Sequence, residues 1–165
     1  MSFANLTKCS MDFGERGDSM EGLERLLVPV DGSAGADKAV DIAVLLAKSS
    51  GAVIDLLYVS YFDEETDDEE AEEFSWLPAS VMASSSKQSA RILAQARERI
   101  PGDVEAAEHV VTGTPAEAIV AFAEEHGKET VVIGGRGLGM VRGFFAGSVS
   151  QEVMDSAPGN VILVK

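Results

Sequence analysis

Short apolar runs alternating with segments of helical periodicity constrain this chain more than any other feature. Leu26-Leu27-Val28-Pro29-Val30 runs into the turn-forming Asp31-Gly32-Ser33. An unbroken apolar run of this length is the pattern of a strand buried on both faces. From Ser33 to Ser50 the apolar residues Ala36, Val40, Ala43, Val44 and Ala47 share one helical face, with Ser33 placed as N-cap and Gly51 as the stop. Val53 to Val59 reads as a second strand, and about Ala79 to Ile100 as a helix ended by Pro101-Gly102. Val104 to Val111 is less apolar, which predicts a third strand at a sheet edge. Thr114-Pro115-Ala116-Glu117 has the form of a capping box with Pro at the first helical position, opening a helix that stops at Gly127. Thr130 to Ile133 is continuously apolar and reads as a central fourth strand. Ser148 to Ser156 follows as a helix and Val161 to Val164 as a fifth strand. The alternation predicts an α/β domain: a five-stranded, mainly parallel sheet with helices on both faces.

The 165 residues suit one such domain, and a second would not fit. Residues 1–22 show no periodicity and read as a flexible N-terminal extension, leaving 23–165 as the domain. The chain carries 28 acidic against 13 basic residues, a net charge of −15, which argues against nucleic-acid and anionic-membrane partners. That charge is concentrated. Nine of the eleven residues from Asp63 to Glu73 are acidic, and without them 19 acids face 13 bases. The segment of about 61–78 is therefore read as a solvated, self-repelling loop; it lacks the Gly-punctuated spacing of a calcium loop. The lone Cys9 excludes a disulfide framework and paired-Cys zinc motifs, and suits a reducing compartment. No apolar run approaches the ~20 residues of a membrane span, and the first residues lack the pattern of a secretory signal. A cytoplasmic location is the resulting expectation.

The connection between the fourth strand and fourth helix carries the chemistry. Such connections usually take about 2–6 residues; this one runs for fourteen, Gly134 to Gly147, and holds six of the sixteen glycines. Glycine lets a ligand approach main-chain N–H groups, and the loop ends at a helix N-terminus with its unpaired donors and positive dipole end. Strand, glycine loop and helix N-terminus together make a phosphate cradle, to which Arg136, Arg142 and Ser148 could contribute. A plain connector, or a loop covering a neighbouring element, is the other reading of glycine richness alone. The Gly-Lys-Ser/Thr ending of the common ATPase loop is absent, and Gly134-x-x-Gly137-x-Gly139 has the wrong spacing for a dinucleotide fingerprint.

Gly134-x2-Gly137-x9-Gly147-Ser148, followed by Val149-Ser150, resembles the ATP-binding branch of the universal stress protein family. The Pro29-Val30-Asp31-Gly32-Ser33 and Leu56-Leu57-Tyr58-Val59 strand endings, Gly113-x-Pro115 and Val161-Ile162-Leu163-Val164 are similar to other family marks. The resemblance covers about residues 23–165. It implies the adenine nucleotide alpha hydrolase-like fold with strand order 3-2-1-4-5, which would set Asp31 and Gly134 in one crevice at the topological switch point. It further implies that Asp31 binds the adenosine part and that Val59 lines the adenine pocket, with Pro29, Val30, Ser33 and Ile133 nearby. Gly134 and Gly137 would hold ribose and phosphate, and Gly147, Ser148 and Val149 the phosphates. The implied ligand is ATP, or AMP or ADP, with Mg2+ or Mn2+ carried on the nucleotide. The implied assembly is a homodimer through strand 161–165, in a regulatory role in stress responses. A slow ATPase or nucleotidyl-transfer enzyme of similar fold is one alternative, and a nucleotide-free dimeric adaptor for a protein partner is another. Gly135, where many relatives carry Ser, departs from the pattern.

No catalytic residue is assigned. Cys9 reads as an inert thiol, and His109 and His126 have no nucleophile at a signature spacing. His126, in the last turn of a helix, suits the C-terminal dipole. Trp76 and Leu77 read as folding back onto the domain, and Phe144 and Phe145 as either a loop anchor or a contact surface.

Overall fold

The computed structural model describes residues 23–61, 79–127, 130–135 and 147–165, with the backbone alone for 79–86. In chain order the elements are β1 (Arg25–Pro29), α1 (Ala34–Ser50), β2 (Val53–Ser60), α2 (Ala79–Glu98), β3 (Ala106–Thr112), α3 (Pro115–Glu125), β4 (Thr130–Gly134), α4 (Ser148–Ser156) and β5 (Asn160–Val164). The strands form one sheet in the order β3-β2-β1-β4-β5, and every pairing is parallel. Residues 1–22, most of the acidic segment with Trp76 and Leu77, and the loop interior with Gly137, Arg136, Arg142, Phe144 and Phe145 lie outside the described residues.

Because side chains alternate along a strand, each strand feeds two cores. Leu26, Val28 and Val30 of β1 and its end, with Ile54 and Leu56 of β2, pack under α1 and α2. Leu27, Leu57, Val131 and Ile133 point the other way, onto Ala116, Ile119 and Phe122 of α3 and Val153 of α4. Leu26, Leu27, Leu56 and Leu57 are fully buried, and each contributes about 1.5–3 kcal/mol relative to exposure. The continuous apolar runs follow from this double coverage.

Local signals set the element ends. The Ser33 hydroxyl accepts from the Ala36 N–H at 3.2 Å, and Gly51 closes α1 with its N–H on the Ala47 carbonyl at 2.8 Å. The third helix corrects one expectation. Thr114 occupies the N-cap, but its side chain makes no capping hydrogen bond. Pro115 presets the first helical φ and carries no N–H that needs a partner, so α3 starts, with Ala118 donating to the Thr114 carbonyl at 2.9 Å, without the hydroxyl. β3 begins at Ala106, two residues later than Val104, which sits in the preceding turn with its side chain in the α1/α2 core.

One buried charge interrupts the apolar pattern. Asp55, inside β2, is fully buried and lies on the α3 side of the sheet between β1 and β3. Arg25 donates to it through Nε at 3.1 Å and Nη2 at 2.9 Å, and His109 Nε2 lies 2.9 Å from Oδ1. A carboxylate without water is tolerated only with such partners. The Arg25 guanidinium is held above its ordinary value first by the hydrogen bond to Asp55, with burial acting in the opposite direction. The Phe122 ring packs between both histidines, 4.9 Å from His109 and 4.0 Å from His126, and His126 Nδ1 lies 3.1 Å from the Phe122 carbonyl oxygen. Both imidazoles are thus engaged in packing and local hydrogen bonds.

Candidate functional site

The site is built where the chain reverses its direction of travel across the sheet. From β1 the chain passes through α1 to β2, on one side; from β4 it passes through α4 to β5, on the other. β1 and β4 are neighbours, pairing Leu26 with Thr130 and Leu27 with Val131, and the crevice beyond the C-terminal ends of two such strands is the usual ligand position in open parallel sheets.

The β1 side of the crevice is the turn Asp31-Gly32-Ser33. The Asp31 carboxylate accepts from the Ser33 N–H at 2.9 Å through Oδ1, which aims the side chain back across its own turn. Gly32 takes φ +78, a left-handed value that an L side chain rarely adopts. Ser33 is buried and spends its hydroxyl on the α1 cap, while Asp31 stays half-buried.

The β4 side is fixed by backbone contact. A Cβ at Gly134 would lie 2.5 Å from the Gly35 carbonyl carbon and 2.9 Å from the Ala36 nitrogen. The first turn of α1 therefore rests directly on the end of β4, joining the two halves of the crevice. Gly135 acts as a staple: its N–H donates to the Val164 carbonyl at 2.7 Å, and its carbonyl accepts from the Gly147 N–H at 2.7 Å. The two ends of the glycine loop are thereby brought together at the end of β5. Gly135 makes these contacts through its backbone alone.

At α4, Gly147 is the N-cap with extended backbone (φ −76, ψ 166), and its carbonyl accepts from the Gln151 N–H at 2.9 Å and the Ser150 hydroxyl at 3.0 Å. Since the Gly147 N–H is committed to Gly135, the donors without an intrahelical partner are the amides of Ser148, Val149 and Ser150. Ser148 is exposed, Val149 half-buried and Ser150 buried.

Asp31, Ser33, Gly134, Gly147, Ser148 and Val149 thus gather around the ends of β1 and β4. The apolar candidates are divided by the sheet. Val59 and Ile133 belong to the α3/α4 side, Val30 to the α1/α2 side, and Pro29 is half-buried at the end of β1. Val30 and Ile133 are each 5% exposed, so what they offer a ligand is mainly backbone. Gly137 lies outside the described residues. Gly35 was not singled out from sequence. Nothing in a helix's first turn marks a glycine as the neighbour of another strand's end.

Residues 22–165 match the model of the universal stress protein family. The chain belongs to that family. The universal stress protein YxiE of Bacillus subtilis is 30% identical over 156 residues, covering 86% of this chain and 98% of the relative. Among solved structures, the universal stress protein UspA from Lactobacillus plantarum superposes with a TM-score of 0.72 at 23% identity, covering 87% of this chain and 98% of that one. A universal stress protein in complex with cAMP superposes with a TM-score of 0.61 at 25% identity, covering 86% and 96%. The chain therefore shares its family and its fold with proteins that it matches over 96–98% of their own length. Among its described residues, no helix is long and apolar enough to cross a membrane.

Proposed function

We propose that this protein binds an adenine nucleotide, ATP or AMP, at the ends of β1 and β4 and acts as a nucleotide-regulated homodimer in stress responses. The observation that carries the reading is the convergence of the Asp31 turn with the N-terminus of α4, two elements distant in sequence, around one crevice. The half-buried Asp31 carboxylate suits ribose hydroxyls, which donate to it, far better than phosphates, which it repels. The amides of Ser148, Val149 and Ser150 suit phosphate oxygens, aided by the helix dipole. Gly137 completes the phosphate contact by its place in the spacing motif, and Val59 forms the apolar wall toward the base. Mg2+ or Mn2+ enters with the phosphates as their counter-ion. In a chain of net charge −15 that ion, with local N–H donors, offsets the repulsion of the ligand. The relative solved with cAMP supports an adenine nucleotide as the ligand class. The homodimer is assigned to β5, an apolar edge strand that covering would protect.

The test is acid extraction of the purified protein with mass spectrometry of released nucleotide, followed by calorimetry with Mg-ATP, AMP and cAMP. Adenine nucleotide should be released or taken up at one per chain. Asp31→Ala should raise Kd about 10- to 100-fold, the worth of a charge-assisted hydrogen bond. No released nucleotide and no heat with any of the three would refute the binding. Sedimentation equilibrium should give a dimer, and a monomer at micromolar concentration would refute the assembly.

A further inference from the structure

The turn that carries Asp31 is supported from outside its own hairpin of strand and helix. Gly32 is exposed to solvent on one side, but a Cβ built on it would lie 3.2 Å from Ile92 Cγ1 and 3.4 Å from Cδ1. The Cγ1 and Cδ1 atoms of this α2 side chain therefore fill the space beside the residue between Asp31 and Ser33. Ile92 is itself 8% exposed and belongs to the core shared by α1, α2 and the sheet, so it cannot swing away without opening a void. α2 is also pinned to α1 beyond the turn: Arg99 donates through Nε to Asp41 Oδ1 at 2.9 Å and lies 3.6 Å from Asp37. Arg99 is held above its ordinary value, first by its hydrogen bond to Asp41.

We infer that Ile92 is a positioning residue for the nucleotide site, holding the left-handed Gly32 peptide so that Asp31 keeps its carboxylate aimed at the ligand. The inference deepens the proposed binding function and rests on that reading for its ligand. The physical chain is short. The Asp31 carboxylate is oriented by the Ser33 N–H, two residues away, and that hydrogen bond spans Gly32. Gly32 has no side chain of its own to restrict it, so the contact from α2 supplies the restriction. Truncating Ile92 to Ala removes both carbons nearest Gly32 and leaves the turn free to sample other orientations, which loosens the geometry that binding requires.

The experiment compares Ile92→Ala, Ile92→Val and Leu93→Ala, three changes in the same turn of α2. Leu93 is buried in the same core, at 4% exposure, and serves as the control for lost core packing. By calorimetry with Mg-ATP, Ile92→Ala should raise Kd about tenfold, part of the worth of the Asp31 contact. Ile92→Val, which keeps both branches at Cβ, should restore binding to within about threefold, and Leu93→Ala should stay within about twofold of the parent. In an Asp31→Ala background the Ile92→Ala effect should vanish, because the two changes act through one contact. Equal losses for Ile92→Ala and Leu93→Ala, or additive losses with Asp31→Ala, would overturn the inference. A readout free of ligand separates it from the function it serves: in the apo protein, amide exchange at Ser33 should accelerate at least tenfold in Ile92→Ala and not in Leu93→Ala. If the parent binds no nucleotide, the functional reading falls, and the Ser33 exchange still decides the positioning role. Unchanged exchange in Ile92→Ala refutes it.

Discussion

The contact between Gly134 and the first turn of α1 gives a prediction whose size follows from the structure. In Gly134→Ala the new methyl group would meet the Gly35 carbonyl carbon at 2.5 Å and its oxygen at 2.7 Å, whereas ordinary contact begins near 3.4 Å. The neighbours are backbone atoms, so no side-chain rotation relieves the overlap. α1 and β4 must separate by roughly 1 Å along a seam that also carries the α1 cap and the core under it. Overpacking a well-packed interior costs about 1–3 kcal/mol, and a backbone-to-backbone clash belongs at the upper end. We expect a loss of about 3 kcal/mol. With an m-value near 2 kcal/mol/M, that lowers the urea midpoint by about 1.5 M. The matched control is Gly102→Ala. Gly102 has no atom within 4 Å of a built Cβ and no positive φ, so the change should leave the midpoint unaltered or raise it slightly. Urea unfolding followed by far-ultraviolet circular dichroism on both variants reads the difference. A Gly134→Ala midpoint within about 0.25 M of the parent, an amount near 0.5 kcal/mol, would refute the close approach. Gly134 would then be explained by a ligand alone.

Three further outcomes follow from the same physics. Arg25→Met takes the guanidinium from the fully buried Asp55 carboxylate, leaving it His109, and should cost about 2–4 kcal/mol by urea unfolding. Adding Asp55→Leu should recover most of it, and a single-variant loss below about 0.5 kcal/mol would mean the pair behaves as a surface ion pair. Because Asp55 holds the Arg25 guanidinium above its ordinary value, that arginine stays protonated at every accessible pH. Its side of the pair is fully present below the unfolded value and lost only above the raised folded one. The gap between parent and Arg25→Met stability should therefore not fall as pH rises from 7 to 10; a gap that closes in that window would contradict the assignment. Ser33→Ala removes the α1 cap and should cost about 1 kcal/mol; thermal unfolding unchanged within error would show that the hydroxyl contributes nothing there.

Much of the architecture was legible because it depends on one-dimensional signals. The apolar runs at Leu26–Val30 and Thr130–Ile133 are continuous since both faces of those strands are covered, and Ser33 and Gly51 bound α1 because capping is a local matter. The glycine spacing likewise pointed to the loop between β4 and α4, whose two ends are drawn together on Gly135. Thr114 shows the limit of local signals. Its sequence context has the form of a capping box, but Pro115 and the Thr114 carbonyl already start α3, and the hydroxyl is not used.

Local patterns in the chain specify the parts: five strands, four helices, a glycine-rich connection and an aspartate after the first strand. Which parts touch is settled by the fold. Gly134 stands in the sequence as a candidate ligand contact, and the fold makes it the point where α1 meets β4. Asp55 is one polar residue in an otherwise apolar strand, and only the sheet brings Arg25 and His109, 30 residues before it and 54 after, onto it. Ile92 lies inside a helix whose span the sequence marks, and only the packing of α2 sets it beside Gly32. The reason is physical. Periodicity, caps and turns are enforced by bonds and sterics within a few residues, whereas these contacts arise only when sheet order brings separate elements to within van der Waals reach.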